Sequence, residues 1–170
     1  MSKQLLLEVS LISSVFVLVS FIWFTFRRSP LSAALKVQKL LTGLLGVFLV
    51  MAGTVKFFEP FNTMFTKQIA LSELPFPELA RWAGQLGEIS AGIGFLLVLI
   101  LALKLTKATL KNILYGTSFL TVIIMTVAVY VHLIPSVPAE VLPLQSKPPV
   151  LTLIVMAIVG LNAWLFKKST

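Results

Sequence analysis

Cysteine is absent from this 170-residue chain, and histidine occurs once, as His132. The absence of thiols excludes disulfides, thiol redox chemistry, iron–sulfur clusters and cysteine-ligated zinc or haem. First-row transition metals usually require several nitrogen or sulfur ligands, which one histidine does not supply. We therefore expect no metal site and no intrinsic redox cofactor.

Charge is also scarce, and acidic side chains are the rarer kind. Charged residues make up 12% of the chain, with 6 acidic and 14 basic side chains and a formal net charge of +8. In a soluble protein this excess would suggest nucleic acid as a partner. Here the basic residues flank long apolar runs, so orientation in a membrane explains them better. No nucleic-acid motif is present, and no nucleic-acid partner is expected.

Hydrophobic residues are what the chain has in abundance, at 58% of its length, against about 45–50% in soluble domains. A helix that spans a bilayer needs about 20 predominantly apolar residues. Five runs meet this need: Leu5–Phe26, Leu40–Phe58, Trp82–Leu105, Ile113–Ile134 and Val150–Phe166. The sequence therefore predicts an all-α, polytopic membrane bundle of five transmembrane helices in a lipid bilayer.

The basic residues predict how the bundle is oriented. Arg27 and Arg28 follow the first apolar run, so that run is interpreted as a retained helix and not as a signal peptide. With the N-terminus outside the cytoplasm and the C-terminus inside, the cytoplasmic segments contain nine basic residues and no acid: Arg27, Arg28, Lys36, Lys39, Lys104, Lys107, Lys111, Lys167 and Lys168. The other side then has five basic residues and all six acids. This distribution follows the positive-inside rule at every loop.

The longest predicted outer loop runs from Glu59 to Arg81. Its apolar residues Phe61, Met64, Phe65 and Ile69 recur at helical spacing, which favours a short amphipathic helix on the outer surface. The alternative is a plain loop that packs Phe61 and Phe65 against the bundle.

Three of the predicted helices have a stripe of small or polar residues, and each stripe includes one ionisable residue. Those residues are Lys56 on helix two, Glu88 on helix three and His132 on helix four. Small residues allow close helix packing in lipid, so these faces should meet. Helices one and five lack such stripes and are expected to be peripheral, although Asn162 on helix five could make one inward hydrogen bond.

The predicted topology places Lys56, Glu88 and His132 at one depth, near the outer surface. Ionisable groups at membrane depth are usually paired or face a wet cavity, and they mark functional sites. We expect Lys56 to pair with Glu88 and the three residues to form a ligand-binding or proton-relay site, with support from Gln85, Arg81 and Tyr130. Three other interpretations remain open: Lys56 as an interfacial residue that snorkels, the pair as a purely structural tie, and His132 as a polar helix end.

Helices two to five resemble the DoxX-like family of small bacterial membrane proteins, which are four-helix bundles. The resemblance rests on the glycine-rich segments 43–46 and 51–56, which end in Gly-x-x-Lys, and on residues 86–92, where a glutamate is followed by small residues. The segment Pro75-Phe76-Pro77 adds to it, and the match covers about residues 40–166. We therefore divide the chain into an N-terminal helix and linker (1–39), which is an addition to the family pattern, and a DoxX-like domain (40–170).

The resemblance implies a multi-pass protein of the prokaryotic plasma (inner) membrane, in a family sometimes linked to redox systems such as thiosulfate:quinone oxidoreduction. By position, Lys56 and Glu88 match the family's recurrent charged residues. The first functional hypothesis is therefore a membrane subunit of a redox system with a lipophile site for a quinone, served by an electron-carrying partner protein. The second is a non-enzymatic scaffold that docks an extracytoplasmic partner, and the third is a small transporter.

Overall fold

The computed structural model describes residues 3–169, which form six α-helices and two short 3₁₀ turns. The helices are α1 (Lys3–Phe26), α2 (Ala33–Val55), α3 (Phe61–Ala70), α4 (Pro77–Ile100), α5 (Lys107–Leu133) and α6 (Val150–Ser169). The 3₁₀ turns, Ala139–Val141 and Pro143–Gln145, lie between α5 and α6. All helices except α3 are long and apolar enough to span a membrane. The predicted all-α bundle with five spans is confirmed.

Local signals at the helix start, and not the ends of the apolar runs, decide where α2, α4 and α5 begin. The Ser32 side chain accepts a hydrogen bond from the Leu35 N–H and starts α2 ahead of its apolar run. Thr106 does the same for α5 through the Thr109 N–H. Pro77 occupies the first turn of α4, where its missing N–H has no cost. The helices therefore extend beyond the lipid-embedded segments that hydropathy identifies.

Four of the spanning helices form a closed ring. Helix α2 packs against α4, α4 against α5, α5 against α6, and α6 against α2. Apolar side chains fill the interior, among them Leu45, Phe95 and Leu114 at 1% exposure or less. Helix α1 lies outside this ring and contacts α2 and the second 3₁₀ turn. The structure thus shows a four-helix core with one added N-terminal helix.

The position of α6 corrects one expectation, since this helix belongs to the ring and is not peripheral. Its inward face consists mainly of large apolar side chains such as Val155 and Val159, so a search for small-residue stripes did not find it. Asn162 is fully buried on the same helix, and its Oδ1 lies 3.0 Å from the Thr42 hydroxyl of α2. The predicted inward hydrogen bond of Asn162 is confirmed.

Glycines allow a close approach between α2 and α4. A Cβ atom built on Gly92 would lie 2.6 Å from the Val50 backbone nitrogen, and one on Gly53 would lie 2.9 Å from the Gln85 carbonyl oxygen. Only residues without a side chain allow the two backbones to pack this closely. This contact brings Lys56, at the end of α2, next to Glu88, at the middle of α4.

A cap covers the end of the bundle that is predicted to face outward. It consists of α3 and the segment from Ile134 to Lys147, which encloses a small apolar core of Val131, Val137 and Leu142. The Ser136 hydroxyl lies 2.9 Å from the Leu71 carbonyl oxygen and joins this segment to the end of α3. The Lys147 ammonium donates hydrogen bonds to the carbonyls of Ile134 and Val137.

Candidate ligand-binding site

Lys56 and Glu88 form an ion pair beneath the cap. Lys56 is the residue that ends α2, Glu88 lies on the inner face of α4, and the distance from Nζ to Oε2 is 2.6 Å. The side chains are 18% and 10% exposed, respectively. The Lys56 ammonium also lies 4.1 Å from the ring centroid of Phe65 on α3, within the range of a cation–π contact. The predicted pairing is confirmed, and α3 supplies a further contact to the lysine.

His132 lies in the last turn of α5 and is 3% exposed. Its Nδ1 is 2.8 Å from the Ala128 carbonyl oxygen. A carbonyl can only accept, so Nδ1 must hold the hydrogen of this bond. In the neutral ring Nε2 is then a hydrogen-bond acceptor with a free lone pair.

The three predicted residues line one cavity. It has a volume of about 490 Å³, and Lys56, Glu88 and His132 all contribute to its wall together with residues from every one of the six helices. The rest of the wall is largely apolar, as with Ile12 of α1 and Val155 of α6. Small-molecule sites typically have volumes of about 300–1,000 Å³, apolar walls and a few polar groups that orient the ligand. The cavity has each of these properties.

The three supporting residues predicted from the sequence do not line this cavity. The Arg81 guanidinium lies 3.4 Å from the Glu78 carboxylate and stacks over Trp82 at 4.6 Å. Tyr130 is 43% exposed. Gln85 is fully buried in α4, and neither of its side-chain amide atoms has a hydrogen-bond partner among the described residues.

Three polar residues that the sequence did not single out do line the cavity: Glu8 of α1, Gln68 of α3 and Thr152 of α6. The Glu8 carboxylate accepts a hydrogen bond from the Leu144 N–H at 2.8 Å and a second from the Gln4 amide at 3.3 Å. Glu8 could have been found, because it is an ionisable residue in a predicted span at the same depth as Lys56. Gln68 and Thr152 gave no such signal.

The predicted outer loop combines the two alternatives given for it, an amphipathic helix and the packing of Phe61 and Phe65 against the bundle. The predicted amphipathic helix is present as α3, and its apolar residues Phe61, Met64 and Phe65 line the cavity. The apolar face therefore packs towards the bundle, as the plain-loop alternative had it for Phe61 and Phe65. The helix forms the cavity wall at the end of the bundle that is predicted to face outward.

The polar side chains of the cavity wall are suited to hydrogen bonding and proton exchange. Within residues 3–169, no group of three or more His, Cys, Asp or Glu side chains could hold a metal ion. The cavity instead combines one ammonium, two carboxylates and one imidazole with apolar walls. Such a set can hold a polar headgroup and exchange protons with it.

No protein-family model, no curated protein and no solved structure matches this chain. The DoxX-like resemblance therefore depends on the residues quoted above and stays a prediction.

Proposed function

We propose that this chain is a DoxX-like membrane protein whose cavity binds a lipophilic molecule, with a quinone as the natural candidate, and that it serves as the membrane subunit of a redox system. The observation that carries the proposal is the 490 Å³ cavity, in which Lys56, Glu88 and His132 interrupt walls that are otherwise largely apolar. Apolar walls favour a hydrocarbon ligand by about 25 cal/mol for each Å² that is removed from water. The polar groups would orient its headgroup.

The chemistry of the lining residues supports this assignment. His132 and Glu88 are side chains that commonly exchange protons with a bound group, and both lie on the cavity wall. Residues 3–169 contain no cysteine and no group of three or more His, Cys, Asp or Glu side chains that could hold a metal ion. A separate electron-carrying protein would therefore act as the redox partner.

The proposal includes a location. With the predicted orientation, the cavity lies in the outer part of a prokaryotic plasma membrane, since Lys56 and His132 are near the outer ends of α2 and α5. Glu88 is at the middle of α4, where it meets Lys56. A lipophilic ligand at this depth would exchange with the outer leaflet. The cap formed by α3 and the segment from Ile134 to Lys147 would separate it from the aqueous phase.

Equilibrium binding of a decyl-tailed quinone tests the proposal. The full chain is reconstituted in lipid nanodiscs, and the wild type is compared with the double variant Lys56→Met/Glu88→Leu, which removes both charges together. We expect the double variant to bind at least about tenfold more weakly, the equivalent of about 1.4 kcal/mol. Arg81→Ala is the matched control, because Arg81 is a charged residue of α4 that does not line the cavity. A wild type that does not bind, or a double variant that binds equally well, would refute the proposal.

A second candidate function is a scaffold that docks an extracytoplasmic partner. It is favoured by exposed aromatic residues at the outer end of the bundle, namely Phe58 at 64% and Phe76 at 76%. Phe76 also has a left-handed backbone (φ 54°), which is a strained conformation for a bulky residue. If Phe58→Ala/Phe76→Ala abolishes recovery of a co-purifying protein while Lys56→Met/Glu88→Leu retains it, the scaffold function is supported.

A further inference from the structure

We infer that the cavity selects ligands whose headgroup donates hydrogen bonds, so that a quinol or a long-chain phenol binds better than the corresponding quinone or ether. This inference rests on the lipophile site proposed above and specifies the headgroup chemistry of its ligand. It follows from the hydrogen-bond roles of the polar atoms that line the cavity.

Two acceptor atoms on side chains of the cavity wall have no protein donor. Since Nδ1 of His132 donates to the Ala128 carbonyl, Nε2 of the neutral ring can only accept, and no described residue donates to it. Glu88 uses Oε2 for Lys56, and its Oε1 has no donor in residues 3–169. Both side chains belong to the cavity wall. Two acceptors are therefore available to a ligand.

The strongest donors around the cavity already have protein partners, although the ammonium is not saturated. The Lys56 ammonium contacts the Glu88 carboxylate at 2.6 Å and the Phe65 ring at 4.1 Å. The Leu144 N–H donates to the Glu8 carboxylate at 2.8 Å. An ammonium has three N–H donors, so a ligand carbonyl and a ligand hydroxyl could each accept from Lys56. Only the hydroxyl can also donate to the acceptors that no protein donor uses.

The remaining polar side chains of the cavity do not favour a ligand hydroxyl over a ligand carbonyl. Gln68 and Thr152 also line it, and an amide or a hydroxyl can either donate or accept. They can therefore serve a carbonyl and a hydroxyl equally well. The difference in affinity comes from His132 and Glu88, where a donor completes a hydrogen bond and a carbonyl oxygen faces a lone pair.

A matched pair of probes tests this selectivity: para-decylphenol and its methyl ether, para-decylanisole. Both have the same ring and the same decyl chain, but only the phenol donates a hydrogen bond. Their dissociation constants are measured with the full chain in nanodiscs, after correction for partition into empty nanodiscs. We expect the phenol to bind about tenfold more tightly, the usual effect of one buried hydrogen bond.

Two variants assign the selectivity to residues. His132→Phe removes the Nε2 acceptor and keeps a planar ring. The dissociation constant of the ether divided by that of the phenol should therefore fall to about one half or less of its wild-type value. Glu88→Gln puts an N–H donor beside the ligand and should also lower the ratio. Met125→Leu is the matched control, because Met125 lines the cavity without a polar hydrogen-bonding group, and it should keep the wild-type ratio.

The outcomes separate this inference from the proposed function. If both probes bind the wild type with equal affinity, or the ether binds more tightly, the inference is wrong while the lipophile site stands. If neither probe nor the quinone binds, the proposed function fails as well. An unchanged ratio in a folded His132→Phe and in Glu88→Gln would also overturn the inference. Glu88→Gln keeps the test decisive if His132→Phe does not fold.

Discussion

Removing one member of the Lys56–Glu88 pair should destabilise the protein far more than removing both. The variant Lys56→Met keeps most of the length of the side chain but leaves the Glu88 carboxylate without its cation. That carboxylate is only 10% exposed, so it gains little water in compensation. The double variant Lys56→Met/Glu88→Leu leaves no charge behind.

The magnitude follows from the geometry of the pair. At 2.6 Å, with an effective dielectric constant of about 20, Coulomb's law gives a gross attraction of about 6 kcal/mol. Desolvation of the two ions costs several kcal/mol each, so the net contribution of an intact buried pair is close to zero. Breaking such a pair from one side costs about 3–5 kcal/mol. We expect about 3 kcal/mol for Lys56→Met, because the carboxylate lines a cavity, and a change within about 1 kcal/mol for the double variant.

Unfolding of the purified protein in detergent, followed by circular dichroism, measures these effects. A double-mutant cycle with Lys56→Met, Glu88→Leu and the double variant gives the coupling energy between the two side chains. Quinone binding is measured on the same samples, which shows whether the pair acts in the site or only ties α2 to α4. A stable double variant that has lost ligand affinity would assign the pair to the site.

Two results would refute this reasoning. If Lys56→Met lowered the free energy of unfolding by less than about 0.5 kcal/mol, the pair would behave as an exposed one. If the double variant lost as much stability as the two single variants added together, the side chains would not be coupled. In either case the 2.6 Å contact would not describe the protein in solution.

The remaining predictions concern packing and orientation. Gly92→Ala should lower the free energy of unfolding by about 2–3 kcal/mol, because its Cβ would lie 2.6 Å from the Val50 backbone nitrogen. Gly116 has no atom within 4 Å of such a Cβ, so Gly116→Ala should change the stability by no more than about 1 kcal/mol. Equal effects of the two variants in thermal unfolding would contradict the packing of α2 on α4. In intact cells, a membrane-impermeant thiol reagent should label Glu140→Cys and not Lys104→Cys, since the chain has no other cysteine; the reverse pattern would invert the predicted orientation.

The sequence predicted the spans from local hydropathy, and it predicted the ion pair from the depth of two ionisable residues on stripes of small side chains. A helix rises 1.5 Å per residue, so the length of an apolar run determines whether it can cross a core of about 30 Å. The depth of Lys56 and of Glu88 follows from counting residues along such helices, and the stripes of small residues around them indicate the faces that pack. The orientation in the membrane is predicted from the distribution of Lys and Arg between the loops. The same fold could be inserted either way, so the fold does not determine the orientation.

Only the tertiary structure decided which residues surround the cavity. A cavity is the space that six helices leave between them, and its boundary depends on how every helix is rotated and placed. This is why Glu8 of α1 lines it while Gln85, one turn of α4 before Glu88, does not. It is also why α6 joins the ring through large apolar side chains, and why Nδ1 of His132 is committed to the Ala128 carbonyl. Contacts between distant segments have no counterpart in the periodicity of any one helix.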